Sequence, residues 1–201
     1  MTTQFNVPYI FNPGVLVGRL PDKLFKKVQK GILDPKARTM PSLKADLVGS
    51  IANEFVTPHV PGFVEFIDSM YQEWRKVYET DSVPYKIEPI WTNYMRAGEF
   101  NPNHSHPGAL AVFVIWMQIP YDIDEELRVG EYENKNYPAK NSCFEFTYSK
   151  LDGTIVNKPI YVDKSYEGMI VMFPSTLMHC VYPFRTSDGE RISIAGNIYP
   201  A

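Results

Sequence analysis

Four histidines occur in the chain: His59, His104, His106 and His179. Two of them stand in Asn101-Pro-Asn-His-Ser-His-Pro-Gly108, after a Gly98-Glu99-Phe100 turn and before a long apolar run. In extended chain, residues two apart project to the same side, about 6–7 Å from one another. His104 and His106 can therefore converge on one metal ion while Ser105 points away. An H-x-H pair alone is a weak signal, because surface loops often carry histidines. His179, 73 residues further on, opens another apolar segment within Phe173-Pro-Ser-Thr-Leu-Met-His-Cys-Val181. The candidate metal site is thus His104, His106 and His179. Glu99 is near enough in sequence to be an alternative carboxylate ligand, ranked below His106. His59 has no partner at ligand spacing and reads as structural.

A second cluster lies at the end of the chain. If residues 191–199 form a strand, Arg191, Ser193, Ala195 and Asn197 share one face and Ile192 and Ile194 the other. An arginine facing inward among apolar neighbours is costly unless it meets an anion. A guanidinium beside a serine hydroxyl suits bidentate capture of a carboxylate. An internal salt bridge, for instance to Glu145, is the equally weighted structural reading. Upstream, Trp91, Asn93 and Met95 alternate on the strand before the metal loop, which makes Asn93 a further candidate for contact with a bound ligand. Phe113 and Trp116 read as packing.

The elements that must position these residues divide the chain in two. In the first part, residues 5–17 read as an entering strand or extended arm. Leu24, Val28 and Ile32 recur every four residues among Lys23, Lys26, Lys27 and Lys30, predicting a short amphipathic helix from Asp22 that ends near Gly31 to Pro35. Residues 36–58 read as irregular or short helical structure. From Pro61 to Thr80, the stripe Phe63, Ile67, Met70, Tyr71, Trp74, Val77 and Tyr78 predicts a helix of about five turns packed on something flat. In the second part the period becomes that of strands: Ile90 to Met95, Leu110 to Ile119, Cys143 to Tyr148, Ile155 to Val162, Met169 to Phe173, His179 to Tyr182 and Arg191 to Tyr199. Asp152-Gly153 marks a hairpin turn. At least seven strands with no helices between them predict an antiparallel sandwich or barrel. Tyr121 to Asn141, acidic and aperiodic, reads as a long loop over one end.

Composition bounds the rest. With 201 residues, 44% hydrophobic and 21% charged, the chain suits one globular domain over 1–201. A formal charge of −3 and a pI of about 5.8 leave no electrostatic footprint for nucleic acid. The longest apolar run, Ala109 to Met117, is far short of the roughly 20 residues that cross a bilayer. No secretory signal is evident at the start. Two cysteines, Cys143 and Cys180, form no disulfide framework and fit a reducing, cytoplasmic setting.

Taken together, Asn103-His-Ser-His-Pro-Gly-Ala109, Gly168-Met-Ile-Val-Met-Phe-Pro-Ser175, His179 and Arg191-Ile-Ser-Ile-Ala-Gly-Asn197 resemble the 2-oxoglutarate/iron(II)-dependent oxygenases of the prolyl-hydroxylase-like superfamily. Each motif is modest alone; their order and spacing, with Arg191 twelve residues beyond His179, make the set fairly specific. The resemblance covers about residues 88–199. It implies a mainly β fold, a double-stranded β-helix (jelly roll) with the N-terminal helices packed outside the sheet. It also implies iron(II) and 2-oxoglutarate as cofactors, with His104 and His179 as iron ligands and Arg191 with Ser193 holding the distal carboxylate of 2-oxoglutarate. The implied reaction consumes dioxygen, converts 2-oxoglutarate to succinate and carbon dioxide, and hydroxylates an unidentified substrate: a prolyl or other protein side chain, a small metabolite and a nucleobase all stay open, the last weakened by the negative net charge.

One position departs from the family. The commonest pattern is His-x-Asp or His-x-Glu, and residue 106 is histidine. A third imidazole replaces an anionic ligand by a neutral one and raises the charge of the metal centre by one unit. A three-histidine dioxygenase that does not use 2-oxoglutarate is therefore the second reading, and a non-catalytic jelly-roll binding module the third.

Overall fold

The computed structural model describes residues 13–78, 83–129 and 139–201. A short edge strand β1 (Leu16–Arg19) leads into helix α1 (Asp22–Leu33), strand β2 (Glu54–Val56) and helix α2 (Phe63–Tyr78). The β half follows: β3 (Tyr85–Met95), β4 (Asn101–His104), β5 (Ala111–Gln118), a short helix α3 (Ile123–Val129), β6 (Phe144–Ser149), β7 (Ile155–Ile160), β8 (Met169–Pro174), β9 (Met178–Val181) and β10 (Arg191–Pro200). All pairings are antiparallel. They give a six-stranded sheet in the order β1-β8-β5-β10-β3-β2 and a four-stranded sheet in the order β4-β9-β6-β7. The molecule is mainly β, two facing sheets of the jelly-roll kind with no closed barrel, as expected from the strand pattern.

Two apolar layers hold these elements together. Between the sheets lie Trp91, Val112, Val114, Trp116, Phe144, Phe146, Val171, Phe173 and Ala195. On the outer face of the large sheet, α1 and α2 bury Val28, Ile32, Phe63, Ile67, Met70 and Trp74 against Phe113, Ile115, Met172, Ile192 and Ile194. The alternation of β5 and β10 feeds both layers, one residue inward and the next outward, which is why β5 reads as continuously apolar. Polar side chains pin the helices to the sheet. Tyr94 Oη donates to Ile32 O at 2.7 Å, Gln29 Nε2 to Met117 O at 2.9 Å, and Trp74 Nε1 to Gly14 O at 2.6 Å. Close approach explains one glycine: a Cβ at Gly196 would lie 2.5 Å from the Phe113 ring.

Several expectations needed correction. Tyr121 to Asn141 is not loop throughout, because α3 forms within it, so the strands do have a helix between them. Its signal was present in the sequence. Asp122 accepts from the amides of Asp124 (2.9 Å) and Glu125 (3.2 Å) ahead of an acidic first turn, a helix N-terminus signature. Residues 130–138 of that stretch lie outside the described residues, as do residues 5–12 of the expected arm and the helix end beyond Tyr78. Residues 36–58 contribute a strand, β2, as well as a 3-10 turn at Pro35–Thr39. On α2, Phe66 is buried although the predicted stripe omits it, and Val77 is 44% exposed although the stripe includes it.

The packing predicts a contrast along α2. Met70→Ala should destabilise the fold by about 2–5 kcal/mol, whereas Val77→Ala should change it by no more than about 0.5 kcal/mol. Equilibrium denaturant unfolding measures both, and equal effects would show that α2 is not docked through this face.

Candidate metal and cosubstrate site

The small sheet assembles the histidines. β4 and β9 pair so that His104 lies opposite His179, and the two ring centroids are 4.2 Å apart. His106 leaves the strand into a turn tied back by its own amide, which donates to Ser175 O at 2.8 Å. Gly108, at φ +86°, reverses the chain into β5, a conformation glycine adopts without steric cost. The rings of His106 and His104 are 5.0 Å apart and those of His106 and His179 5.3 Å. The possible ligand atoms of all three residues lie within 4.8 Å of one another, the one such cluster among the described residues.

Hydrogen bonding sets two of the tautomers. His104 Nδ1 lies 2.7 Å from Pro102 O and His179 Nδ1 3.0 Å from Leu177 O. A carbonyl oxygen only accepts, so each Nδ1 carries the proton and each Nε2 keeps a free lone pair. Burial lowers the pKa of all three, His106 to about 4 and His179 to about 3. For His179 the cause is visible: Phe173 and Phe144 flank its ring at 4.8 and 5.7 Å. Neutral imidazoles with free lone pairs are what a divalent metal requires.

Glu99 is engaged elsewhere. Its carboxylate accepts from the amides of Ala52 (2.9 Å) and Arg96 (2.8 Å), and it is not part of the histidine cluster. Its spacing looked ligand-like, but the turn turns it toward β2.

On the facing sheet, β3 and β10 align Met95 with Arg191, Asn93 with Ser193 and Trp91 with Ala195. Asn93 Nδ2 donates to Ser193 Oγ at 3.2 Å. Asn93 and Ser193 line a small cavity with all three histidines. Arg191 is buried one step further in. Its guanidinium donates to Tyr182 O (2.9 Å), Ser142 O (3.0 Å) and Tyr121 Oη (3.3 Å) and approaches Met95 Sδ at 2.8 Å. None of these carries a charge. Glu145, the expected salt-bridge partner, instead holds Lys140 at 2.6 Å, and among the described residues Arg191 makes no ion pair. The loop before β10 is fixed by Glu126 of α3, which accepts from the Arg185 and Thr186 amides. Sequence reasoning missed Glu126, although an acidic residue in a first helical turn was a usable signal.

Residues 89–197 match the family described as "Putative 2OG-Fe(II) oxygenase". The chain belongs to this 2-oxoglutarate/iron(II) oxygenase family. Iron(II) and 2-oxoglutarate are accordingly the cofactors of this oxygenase, and of the three readings drawn from sequence it is the first that the family carries. Solved structures similar in fold include a prolyl-4-hydroxylase from Pseudomonas putida, at 14% identity and TM-score 0.57, with 94% of this chain and 93% of that one covered. HygX from Streptomyces hygroscopicus, with nickel and 2-oxoglutarate bound, aligns at 12% identity and TM-score 0.56, covering 94% and 83%. A Trichoplax adhaerens prolyl hydroxylase in complex with a hypoxia inducible factor peptide aligns at 11% identity and TM-score 0.52, covering 94% and 84%. At such identities the likeness is one of fold. No protein among the curated ones matches the oxygenase. Among its described residues, no helix is long and apolar enough to cross a membrane.

The cluster predicts an order of metal affinities. His104→Ala or His179→Ala should weaken zinc binding to the metal-free protein by more than about 100-fold, since even outer partners of ligands are worth 10–100-fold. Glu99→Gln should leave it within about twofold. Competitive titration against a chromogenic chelator measures this, and a damaging Glu99→Gln would return the site to carboxylate ligation.

Proposed function

We propose that the protein is a hydroxylase in which His104, His106 and His179 hold iron(II) and Arg191, Ser193 and Asn93 hold 2-oxoglutarate. The observation that carries this reading is the placement of an uncompensated, buried guanidinium behind three converging neutral imidazoles, joined by the small polar cavity of Asn93 and Ser193. Three nitrogen donors suit a first-row metal and leave coordination positions open. The bound cofactors supply the oxidative decarboxylation of 2-oxoglutarate by dioxygen, giving succinate and carbon dioxide while one oxygen atom enters a substrate C–H bond.

The chain's own residues orient the parts. Arg191 offers its fixed fork of donors to the distal carboxylate. Ser193, receiving a hydrogen bond from Asn93, has its own proton free to donate. Asn93 keeps a buried amide oxygen without a partner, and turning that amide over would present its N–H₂ group to the cosubstrate instead. Trp91, Val112, Val114 and Phe144 wall the cavity, and apolar walls strengthen the charge interactions beside them.

Several finer points belong to the same proposal. His106 takes the position that a carboxylate fills in the commoner pattern, and the proximity of its ring to both other histidines supports this. The helices share an apolar layer with the large sheet, supporting one domain over 1–201. Free Cys143 and Cys180 support a reducing, cytoplasmic compartment. The primary substrate is a small metabolite or a protein side chain; the net negative charge speaks against a nucleic acid.

Arg191→Ala should weaken 2-oxoglutarate binding at least tenfold, as a lost contact to a buried anion costs about 2–5 kcal/mol, while zinc affinity stays unchanged. Calorimetry on the metal-loaded protein reads both, and unaltered cosubstrate affinity would remove Arg191 from the site. His106→Asp should retain iron binding and 2-oxoglutarate-dependent succinate formation, because it restores the commoner ligand set. Iron affinity left unchanged by His106→Ala would show that position 106 does not face the metal.

A further inference from the structure

Glu54 lies on β2, the edge of the large sheet, in register with Asn93, which in turn faces Ser193. Ser193, Asn93 and Glu54 thus form one row across three strands, about 4.8 Å per step. The side chain is 1% exposed, and its Oε2 has no hydrogen-bond partner. A buried carboxylate without a hydrogen-bonded partner is expensive. Among the described residues no cationic side chain makes an ion pair with it. Burial first, and the Glu99 charge second, push its pKa up to about 7, with Lys44 opposing.

Glu54 faces a cavity of about 240 Å³ that also contains His104, His106, Trp91, Asn197 and Tyr199. This cavity shares Trp91, Asn101, His104 and His106 with the smaller one, so it adjoins the histidines on the side away from Arg191. Asn197 is 5% exposed and also leaves its amide oxygen unpartnered. Of the four buried side-chain oxygens without a hydrogen bond among the described residues, the Glu145 oxygen is 2.6 Å from Lys140. The other three, on Glu54, Asn93 and Asn197, line these two cavities. The larger one therefore presents acceptors and lacks donors of positive charge, beside two aromatic walls able to receive a cation.

We propose that this cavity is the substrate site and that it selects a substrate bearing a cationic nitrogen, an amine or guanidine, received by the Glu54 carboxylate. The assignment of the cavity to substrate rests on the metal reading above, but recognition of the cation does not. It follows from a buried, unpartnered carboxylate oxygen lining a cavity, which a cation converts from a liability into a paired charge.

Binding of benzylamine and of the uncharged, equally sized benzyl alcohol is to be compared by ligand-observed NMR on metal-free protein, then on protein loaded with manganese(II) and 2-oxoglutarate. Benzylamine should bind at least about tenfold more tightly than the alcohol. Glu54→Gln should erase that preference, while its zinc and 2-oxoglutarate affinities stay within about twofold and confirm an intact fold. In the loaded protein, benzylamine protons should show paramagnetic broadening that the Glu54→Gln variant loses. Equal binding of the two probes to the unaltered protein would overturn the proposal whatever the variant does, as would a preference that survives Glu54→Gln. Amine selectivity without paramagnetic broadening would keep Glu54 as the cation site and remove the histidines as its metal neighbours. Failure of the protein to bind metal or 2-oxoglutarate would sink the metal reading and leave the metal-free comparison decisive for Glu54.

Discussion

The hydrogen-bond ladder that holds β10 between β3 and β5 is the constraint on which the rest of the molecule depends. Because the strand is paired on both edges, its register cannot slip without turning every side chain to the other face. Ile192, Ile194 and Ile198 are committed to the layer under the helices. Arg191, Ser193, Ala195 and Asn197 are committed to the interior between the sheets. A slip of one residue would bury three polar groups under α2 and push isoleucines against the histidines. The cost of that exchange fixes the inward positions of Arg191, Ser193 and Asn197 at once, with no dedicated scaffolding for any of them.

Much of this was legible in the chain because strand periodicity carries both fold and site. The alternation from Arg191 to Asn197 and from Trp91 to Met95 identified inward faces, and the H-x-H spacing identified His104, at the end of β4, and His106 just beyond it. What spacing could not show was pairing between distant strands. That His104 meets His179 across β4 and β9 is a fact of tertiary register, supplied in sequence reasoning by family resemblance. Equally hidden was Glu54. It sits in a three-residue strand inside a stretch without periodicity, and a lone glutamate there gives no sign of its burial. Glu99 misled for the opposite reason, since its proximity in sequence suggested ligation whereas the turn directs it to two backbone amides.

Charge is distributed along the interior in one direction. At one end the Arg191 guanidinium has only neutral partners; in the middle stand three imidazoles kept neutral by burial; at the edge Glu54 makes no ion pair among the described residues. Each end suits a ligand of opposite sign, and under the proposed assignments the dicarboxylate and the substrate would lie on opposite sides of the metal. Glu145 and Lys140 show the contrast, a buried carboxylate satisfied within the chain and so left without a role in recognition.

The all-imidazole cluster has a further consequence for how such a centre is filled in a cell. Nitrogen ligands follow the Irving–Williams order, in which nickel(II), copper(II) and zinc(II) bind more tightly than iron(II). A proposed centre of three imidazoles would hold no protein oxygen donor, the ligand class that suits harder ions. Iron occupancy of a centre so built would depend on the supply and buffering of competing ions, and metal availability would then control turnover without any change in the amount of protein.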